Sequence, residues 1–520
     1  MDDFYYNEMQ QKFNFAKYLQ GEMIPMAQNI VLQASGLEKI REMNPRLMSY
    51  NVEMTEVTGG TFWKAYTPAQ IDGTEEFPPI SGMHEMAGLM QWYDPIQSTN
   101  PRLIKLAKEF GPVWVRVSGT WATKTYYDFE GTGVVPEGYQ NRLTREQWVN
   151  LINFVDAVGG KLLISVANCE GLHSAEEPWN PSQAEKIFAL SKELGHPIDA
   201  VEFTNEPNMF QVTGFPAGYK VEHYIRDQEL FHQWVTENYP DTLLVGPCTV
   251  DTMKMGDVST AGVGAAFGTT CSTDDLLTGA VIMPKVFSYH YYNGISERLA
   301  AVMPQAHWQP SQTLSEPYLA MAGLAARGAV PYRDKYVPGG QMWVTESGDA
   351  GGGGNTWAST YMDVPRTLNE LGEFCTISDG VIFHNTLASS DYGFLDHHDY
   401  LPRPNYFAAL LWNRLMGKTC YASGEEIREG AHVYAHSRKD GKDGYVYLII
   451  NNSAETTTVE LPKEAEAYVL SGKDGLRSTV MQLNGKDLVL GENDELPCLC
   501  GETVSGTVEL APGCCAFYVL

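Results

Sequence analysis

The sequence lacks long hydrophobic runs and is poor in basic residues. No stretch of its 520 residues approaches the roughly 18 consecutive apolar residues that indicate a membrane-spanning helix. Lys and Arg together number 36 against 64 Asp and Glu, which gives a formal net charge of -28. A field of that sign repels nucleic acids, anionic membrane surfaces and polyanionic chains. We therefore expect neither a nucleic acid nor a membrane as a partner.

Two further absences concern targeting and redox chemistry. The first residues, MDDFYYNEMQQKFNFAKYL, have no basic segment followed by an apolar run, so the sequence shows no secretory signal. The nine cysteines are odd in number and scattered, and the spacing of Cys498 and Cys500 does not fit a zinc ribbon. We therefore expect reduced thiols and a cytoplasmic location.

A glycine-rich phosphate-binding fingerprint is also missing after the first predicted strand, which disfavours a doubly wound nucleotide-binding sheet. The chain contains instead a series of apolar, β-branched runs, with amphipathic segments such as TREQWVNLINFVDAV (144–158) between them. Eight strands, each followed by a helix, predict an α/β fold, a (β/α)8 TIM barrel. The predicted strands span residues 47–54, 113–120, 161–168, 200–207, 242–247, 285–292, 341–347 and 380–386.

The pattern changes near residue 418. Short alternating segments follow, punctuated by turn pairs such as Asp443-Gly444 and Asn484-Gly485, and they predict an all-β sandwich packed on the barrel. An early run, NIVLQAS (29–35), also has the character of a strand, and we expect it to join the sandwich. The predicted organisation is an N-terminal segment over 1–45, a catalytic barrel over 46–417 and a β-sandwich domain over 418–520.

Two glutamates occupy equivalent places in the predicted barrel. Glu206 ends strand 4 in VEFTNEPNMF, and Glu346 ends strand 7 in WVTESG. Active sites of such barrels lie at the C-terminal ends of the strands, and strands 4 and 7 face each other across the mouth. Taken alone, one such glutamate is explained by an ion pair or a helix N-terminus. Two facing acids fit glycoside hydrolysis, in which one protonates the leaving oxygen and the other attacks or orients water.

These two motifs resemble those of the clan-A retaining glycosidases. With three further segments they resemble the heparanase and exo-β-glucuronidase family, and the similarity runs over nearly the whole chain from about residue 29. The Asn-Glu-Pro motif alone is only moderately specific, whereas the combination is highly specific. The five segments are VRVSGT (115–120), FTNEPN (203–208), SYHYYNG (288–294), TESGDAGGGG (345–354) and SDYGFLD (390–396).

The resemblance implies a retaining β-glucuronidase in which Glu206 is the acid/base and Glu346 the nucleophile. Asn205 would hold the 2-hydroxyl of the sugar, a contact that strengthens in the oxocarbenium-like transition state. Tyr292 would donate a hydrogen bond to Glu346. His290 alternates with Tyr292 on strand 6 and faces the same way. Both are expected to line the sugar-binding site, and the alternative for each is a buried core aromatic residue. The chemistry requires neither a metal ion nor a cofactor.

The resemblance also implies a grip on the carboxylate of glucuronic acid. Tyr392 and the backbone N–H groups of Gly352 and Gly353 match the residues of the family that hold this group. Glycine suits the role because it lets the backbone approach an anion closely and form a nest of donors. Three further residues match positions that contact sugar hydroxyls in the family. They are Glu53, Thr120 and Asp251. Heparanase has an aspartate at the position of Glu53 and a glutamine at that of Asp251.

The sequence departs from the endo-acting heparanases, which bind sulfated chains through basic residues beside the cleft. No comparable basic cluster is present here, so we expect a small glucuronide or a short oligosaccharide as the substrate. The segment DHHDY (396–400) is interpreted as a solvated or substrate-contacting loop rather than a metal site. Two alternatives stay open: a clan-A enzyme acting on a neutral sugar, and a carbohydrate-binding protein without activity. The oligomeric state stays open too.

Overall fold

The computed structural model describes residues 28–252 and 271–520, apart from the side chains of Met83, Gln211, Asp251 and Thr252. Eight strands, all paired in parallel, close into a barrel. The predicted (β/α)8 fold is therefore confirmed. Barrel strands 1 to 8, in chain order, are Met48–Glu53, Trp114–Ser118, Lys161–Ser165, Ala200–Glu202, Leu243–Thr252, Val286–Tyr292, Gln341–Gly348 and Ile382–His384.

A helix follows each barrel strand. Local capping explains where several of them begin: the side chain of Asn100 accepts from two backbone N–H groups, and Thr144 forms a capping box with Gln147. Among the described residues, every helix falls short of the length and hydrophobicity needed to cross a bilayer. The helices are Pro101–Lys108, Arg145–Ala157, Ser182–Glu193, Val221–Asn238, Thr273–Leu277, Met321–Tyr336, Val364–Ile377 and Pro404–Leu415.

The loops after the barrel strands carry smaller elements and surround the C-terminal mouth. A hairpin, Gly60–Trp63 with Met90–Tyr93, follows barrel strand 1, and the pair Thr125–Asp128 and Asn141–Thr144 follows strand 2. Short α-helices in these connections are Met54–Thr58, Pro68–Asp72, Phe210–Thr213, Glu297–Ala300 and Glu316–Leu319. Among the described residues, the 3-10 turns are Met83–Leu89, Ala122–Lys124, Pro304–Ala306, Pro310–Gln312, Tyr361–Asp363 and Glu492–Asp494.

The rest of the described chain forms two sheets that share one apolar core, which includes Ile30, Val433, Ile449 and Ala516. Early and late segments of the chain meet in this unit, since the strand Asn29–Val31 pairs in parallel with Thr457–Glu460. The smaller sheet contains Asn29–Val31, Thr457–Glu460 and Thr507–Leu510. The larger contains Lys39–Glu42, Met416–Tyr421, His432–Arg438, Tyr445–Ile450, Ala465–Gly472, Met481–Leu483, Lys486–Asp487, Glu502–Val504 and Cys515–Val519.

One expectation about the cysteines is wrong. Cys498 and Cys500 form a disulfide, with their Cα atoms 5.4 Å apart. That separation lies in the ordinary range for a disulfide, although a spacing with one intervening residue gave no sign of it. The remaining seven cysteines are free. The cytoplasmic location stays a prediction.

The barrel interior changes character from bottom to top. Near the N-terminal ends of the strands it is filled by apolar side chains that include Trp114, Val286 and Trp343. Successive inward-facing residues lie two apart along a strand, so Arg116 and Glu202 occupy the next layer. Both side chains are fully buried. The polar layer therefore stands directly beneath the mouth, where it supports the candidate site.

Candidate active site

Glu206 and Glu346 meet at the mouth of the barrel. Glu346 lies within barrel strand 7, and Glu206 lies four residues past the end of strand 4. A carboxylate oxygen of each lies within 4.8 Å of the other. Glu206 has a φ of 45°, in the left-handed region that non-glycine residues rarely adopt. Such local strain persists where the surrounding structure holds it, and it is common at functional sites.

Arg116 organises the site from below. Its Nη1 donates to Glu346 Oε1 at 2.9 Å, and its Nη2 donates to Asn205 Oδ1 at 2.7 Å. Nε and Nη2 both donate to Glu202 Oε1, at 3.0 and 2.6 Å. Burial alone would lower the pKa of Arg116, but the carboxylates of Glu202 and Glu346 raise it above its usual value. A permanent cation therefore lies beneath the nucleophile candidate.

The same guanidinium sets which ring nitrogen of His290 faces a donor. Arg116 Nη2 lies 3.2 Å from His290 Nε2, and because a guanidinium only donates, Nε2 must accept. The ring proton is then on Nδ1, which lies 3.0 Å from Glu206 Oε1 and donates to it. His290 has no exposed surface. We therefore expect it to orient Glu206 rather than to touch the sugar.

Glu206, His290 and Glu346 lie as close together as the ligands of a metal ion do, since one ligand-type atom of each lies within 4.8 Å of the others. The Nδ1 of His290 is the ring atom that faces both carboxylates, at 3.0 and 3.5 Å. Because Arg116 requires Nε2 to accept, Nδ1 carries a proton and offers no lone pair to an ion. This donor set suits proton transfer better than metal coordination.

The electrostatic environment of Glu206 favours its protonated form. Burial raises the pKa of this carboxyl, and the negative charge of Glu346 raises it further, while the hydrogen bond from His290 opposes the shift. Glu346, in contrast, accepts from Arg116 Nη1 at 2.9 Å and from the Tyr292 hydroxyl at 2.7 Å. Two donors on one carboxylate suit a negatively charged nucleophile. The two acids are therefore set up for different tasks.

A chain of side-chain amides sets the direction of two tyrosine hydroxyls. Asn51 Nδ2 donates to the carbonyl of Thr345 at 3.1 Å and to Asn385 Oδ1 at 3.0 Å. The other end of Asn385, Nδ2, therefore points to Tyr292 and Tyr392, whose hydroxyl oxygens accept at 2.9 and 3.0 Å. Each tyrosine keeps its own proton for another partner. Tyr292 donates to Glu346, and Tyr392 has no protein acceptor among the described residues.

The glycine-rich segment after barrel strand 7 lies beside Tyr392. Gly352, Gly353 and Gly354 have φ values of 89°, 87° and 85°, which residues with a Cβ rarely adopt. A Cβ on Gly353 would lie 2.5 Å from Ser390 Oγ, so the loop also leaves no room for a side chain. The N–H groups of Gly352 and Gly353 have no acceptor within the part of the chain that the structure describes. They are available to an anion.

Four further residues were predicted to contact the sugar, and the structure describes the side chains of three of them. Asn205 lies next to Glu206, and because its Oδ1 accepts from Arg116, its Nδ2 is the end left to donate. Glu53 ends barrel strand 1 against Gly119, where a Cβ would lie 1.6 Å from the carboxylate, and burial together with Glu346 raises its pKa. Thr120 is half-buried just past barrel strand 2. The side chain of Asp251 lies outside the described residues.

Sequence reasoning missed the residues that orient the site: Arg116, Asn51, Asn385 and Glu202. Arg116 lies inside VRVSGT, one of the segments that carry the family resemblance, and Glu202 lies directly before another, FTNEPN. The alternation of apolar and polar residues along WVRVS placed Arg116 inward on a barrel strand, and a buried arginine needs carboxylates around it. That pattern could have found it.

The fold is a TIM barrel with two acids at its mouth. Glu206, after strand 4, accepts from a histidine, and Glu346, on strand 7, accepts from two donors. This is the arrangement of a glycoside hydrolase. No family model matches the chain. Solved structures support the fold. The chain aligns with a 4-O-alpha-L-rhamnosyl-beta-D-glucuronidase of Fusarium oxysporum with a TM-score of 0.63 and 11% identity, over 95% of this chain and 100% of that one. At this identity the likeness shows the fold alone.

Curated relatives narrow the class and confirm the resemblance to the heparanase and β-glucuronidase family. Heparanase-like protein 1 of Arabidopsis thaliana is 24% identical over 479 residues, 81% of this chain and 84% of that protein. Hyaluronoglucuronidase of Hirudo nipponia is 24% identical over 82% of this chain and 90% of its own length. Baicalin-beta-D-glucuronidase of Scutellaria baicalensis is 23% identical, over 77% and 79%. Proteins named as inactive heparanases also match, so the likeness does not by itself assign activity.

Proposed function

We propose that the protein is a retaining exo-β-glucuronidase that removes terminal β-D-glucuronic acid from small glucuronides or short oligosaccharides. The observation that carries the proposal is the coincidence of an acid pair with an anion pocket at one barrel mouth. The pair is Glu206 and Glu346, and the pocket is formed by Tyr392 with the N–H groups of Gly352 and Gly353. Two of the curated relatives are named as glucuronidases, which supports this sugar.

The reaction proceeds in two displacements. In the first, the carboxylate of Glu346 attacks C1 of the sugar while Glu206 gives its proton to the leaving oxygen, and the C1–oxygen bond breaks. The product of this step is a glycosyl ester on Glu346. In the second, Glu206 takes a proton from water, the water oxygen attacks C1, and the ester bond to Glu346 breaks. Two inversions at C1 restore the β-configuration of the substrate.

The close approach of the two carboxylates supports retention. Retaining glycosidases have carboxyl groups about 5–5.5 Å apart, whereas inverting ones leave about 6.5–9.5 Å for a water molecule. Here carboxylate oxygens of Glu206 and Glu346 lie within 4.8 Å, and both residues contact the same nitrogen of His290. A separation this short favours direct attack by a carboxylate in the first step over attack by a water held between the two acids.

Substrate choice is tested by a panel of aryl glycosides that share one leaving group. We expect the β-glucuronide to be hydrolysed with the highest kcat/KM among the β-glucuronide, β-glucoside, β-galactoside and β-xyloside. A neutral sugar at the top of the panel would indicate the alternative clan-A enzyme. Binding of sugars without hydrolysis of any substrate in the panel would indicate a carbohydrate-binding protein.

Stereochemistry gives an independent test of the acid pair. Proton NMR of the first product should show the β-anomer of glucuronic acid before mutarotation, because two displacements at C1 retain configuration. The spectrum is recorded within the first minutes, with authentic β-glucuronic acid allowed to mutarotate as the reference. If the α-anomer forms first, the roles assigned to Glu206 and Glu346 are wrong.

Replacing Tyr392 with Phe tests the anion pocket. A hydrogen bond from a hydroxyl to a buried carboxylate is worth about 1.5–3 kcal/mol, so kcat/KM for the β-glucuronide should fall roughly 10- to 100-fold. The β-glucoside has a hydroxymethyl group in place of the carboxylate, and its hydrolysis should be nearly unchanged. Tyr406→Phe is a matched control, because the Tyr406 hydroxyl is buried and donates to the carbonyl of Leu106 at 3.0 Å. Equal losses on both sugars would make Tyr392 a general structural residue.

A further inference from the structure

Arg298 joins three loops around the anion pocket. It lies on the short helix Glu297–Ala300 after barrel strand 6, with only 1% of its surface exposed. Its Nη1 donates to the carbonyls of Gly352 and Gly354 at 3.1 and 2.9 Å. Its Nη2 donates to the carbonyl of Lys64 and to Asp391 Oδ2, both at 2.6 Å. One side chain thus holds the loops that follow barrel strands 1, 7 and 8.

The contacts of Arg298 are part of a pattern that turns every carbonyl of the Gly352–Gly354 segment toward protein donors. Ser296 Oγ also donates to the carbonyl of residue 352, at 2.9 Å. Ser390 Oγ donates to that of residue 353 at 2.9 Å, and Tyr66 donates to that of residue 354 at 3.0 Å. With all three carbonyls held on one side, the N–H groups of the first two glycines are left for a ligand. Consecutive N–H groups arranged in this way bind anions.

The orientation of the Arg298 guanidinium is fixed by its neighbours. Its guanidinium carbon lies 3.7 Å from the centre of the Tyr66 ring, so the plane of the fork is fixed by stacking. Asp391, which balances its charge, is the residue directly before Tyr392. The same guanidinium therefore sets the position of the glycine segment and of the tyrosine that faces it.

We propose that Arg298 is a specificity-determining positioning residue, which holds the glycine N–H groups and Tyr392 at the spacing that a sugar carboxylate requires. It does not itself face the ligand, since all four of its contacts are to protein oxygens. The inference rests on the proposed β-glucuronidase function. It predicts that loosening Arg298 harms the recognition of the carboxylate and spares the chemistry at Glu206 and Glu346.

The test is Arg298→Lys, which keeps the charge but replaces a planar fork of five donors by a single ammonium. We expect kcat/KM for an aryl β-glucuronide to fall roughly 10-fold or more, mostly through KM, since preorganised donors are lost from ground-state binding. For the matching β-glucoside the change should stay within about threefold. Arg226→Lys is the matched control, because Arg226 likewise bonds an aspartate, Asp227, and a loop carbonyl, that of Ala175, in the loop after barrel strand 3. It should leave both substrates unchanged.

The ratio of the two kcat/KM values separates positioning from mere stability, because a loss of folded protein lowers both in parallel. A parallel loss in Arg298→Lys, with the wild type still preferring the glucuronide, would overturn this inference and leave the proposed function standing. A wild type that prefers the glucoside would overturn both. If Arg298→Lys does not fold, Asp391→Asn is measured instead, since it removes the charge of the pair and keeps its shape, and the same outcomes apply.

Discussion

Replacing Glu346 with Gln should abolish the hydrolysis of every glycoside, with a loss of roughly 10⁴-fold or more in kcat. The amide has the shape of the carboxylate but cannot attack C1, so the glycosyl ester never forms. The fold should survive, because Arg116 keeps its other carboxylate partner, Glu202, at 2.6 Å. Turnover is measured on the best substrate of the panel, and folding by urea-induced unfolding of the same preparation.

Glu373→Gln provides the control for a buried glutamate outside the mouth. Glu373 lies on the helix Val364–Ile377 and pairs with Arg327 at 3.1 Å, so its replacement should leave kcat unchanged. A second arm identifies the face of attack. In Glu346→Ala, azide can occupy the space that the carboxylate leaves and attack C1 of a β-glycoside with an activated phenol leaving group. The phenol departs, and the single inversion at C1 gives the α-glycosyl azide. Residual activity of Glu346→Gln near that of the wild type would remove this residue from the mechanism.

Replacing Glu206 with Gln should have an effect that depends on the leaving group. For an alkyl or phenyl β-glucuronide, kcat/KM should fall roughly 10²- to 10⁴-fold, because the departing oxygen is no longer protonated. For a dinitrophenyl β-glucuronide, whose leaving group departs as a stable anion, the fall should be less than about tenfold. kcat/KM is the right quantity, since it ends at the first irreversible step and excludes the later attack of water.

The pH dependence follows from the raised pKa of Glu206. A raised pKa keeps the acid protonated to higher pH, so in the wild type kcat/KM should fall only as the pH rises through that raised value. In Glu206→Gln, assayed with the dinitrophenyl substrate, this alkaline decline should vanish. In Glu206→Ala, azide should give the β-glycosyl azide, the opposite anomer to that from Glu346→Ala. Equal losses on good and poor leaving groups, or the α-azide, would contradict the acid/base role.

Much of the fold could be read from the sequence because it depends on local, periodic signals. β-Branched runs of strand length, separated by amphipathic segments, fixed the number and order of the barrel strands, and all eight were confirmed. The change of pattern near residue 418 marked the all-β part. The positions of Glu206 and Glu346 followed in turn, since the ends of parallel barrel strands meet at one mouth.

The chemistry of the site could be predicted only in outline. Motifs placed two glutamates, an asparagine and two tyrosines at the mouth, but a motif does not state which atom of an amide faces which neighbour. That depends on donors brought from distant positions, as when Asn51 on barrel strand 1 orients Asn385 just past barrel strand 8. The disulfide between Cys498 and Cys500 was not predicted for a different, local reason: the spacing of two cysteines does not give the backbone direction on which their pairing depends.

The sequence by itself determined the barrel, the all-β sheets and the two acids that face each other, because hydrophobic periodicity and strand order act along the chain. Only the tertiary structure decided how those acids differ. Arg116 forces His290 to accept at Nε2 and so to donate to Glu206 from Nδ1. Arg298 turns the carbonyls of the glycine segment away from the pocket. Both effects come from buried cations whose partners lie on different strands and loops, and such long-range electrostatic contacts leave no periodic trace in a sequence.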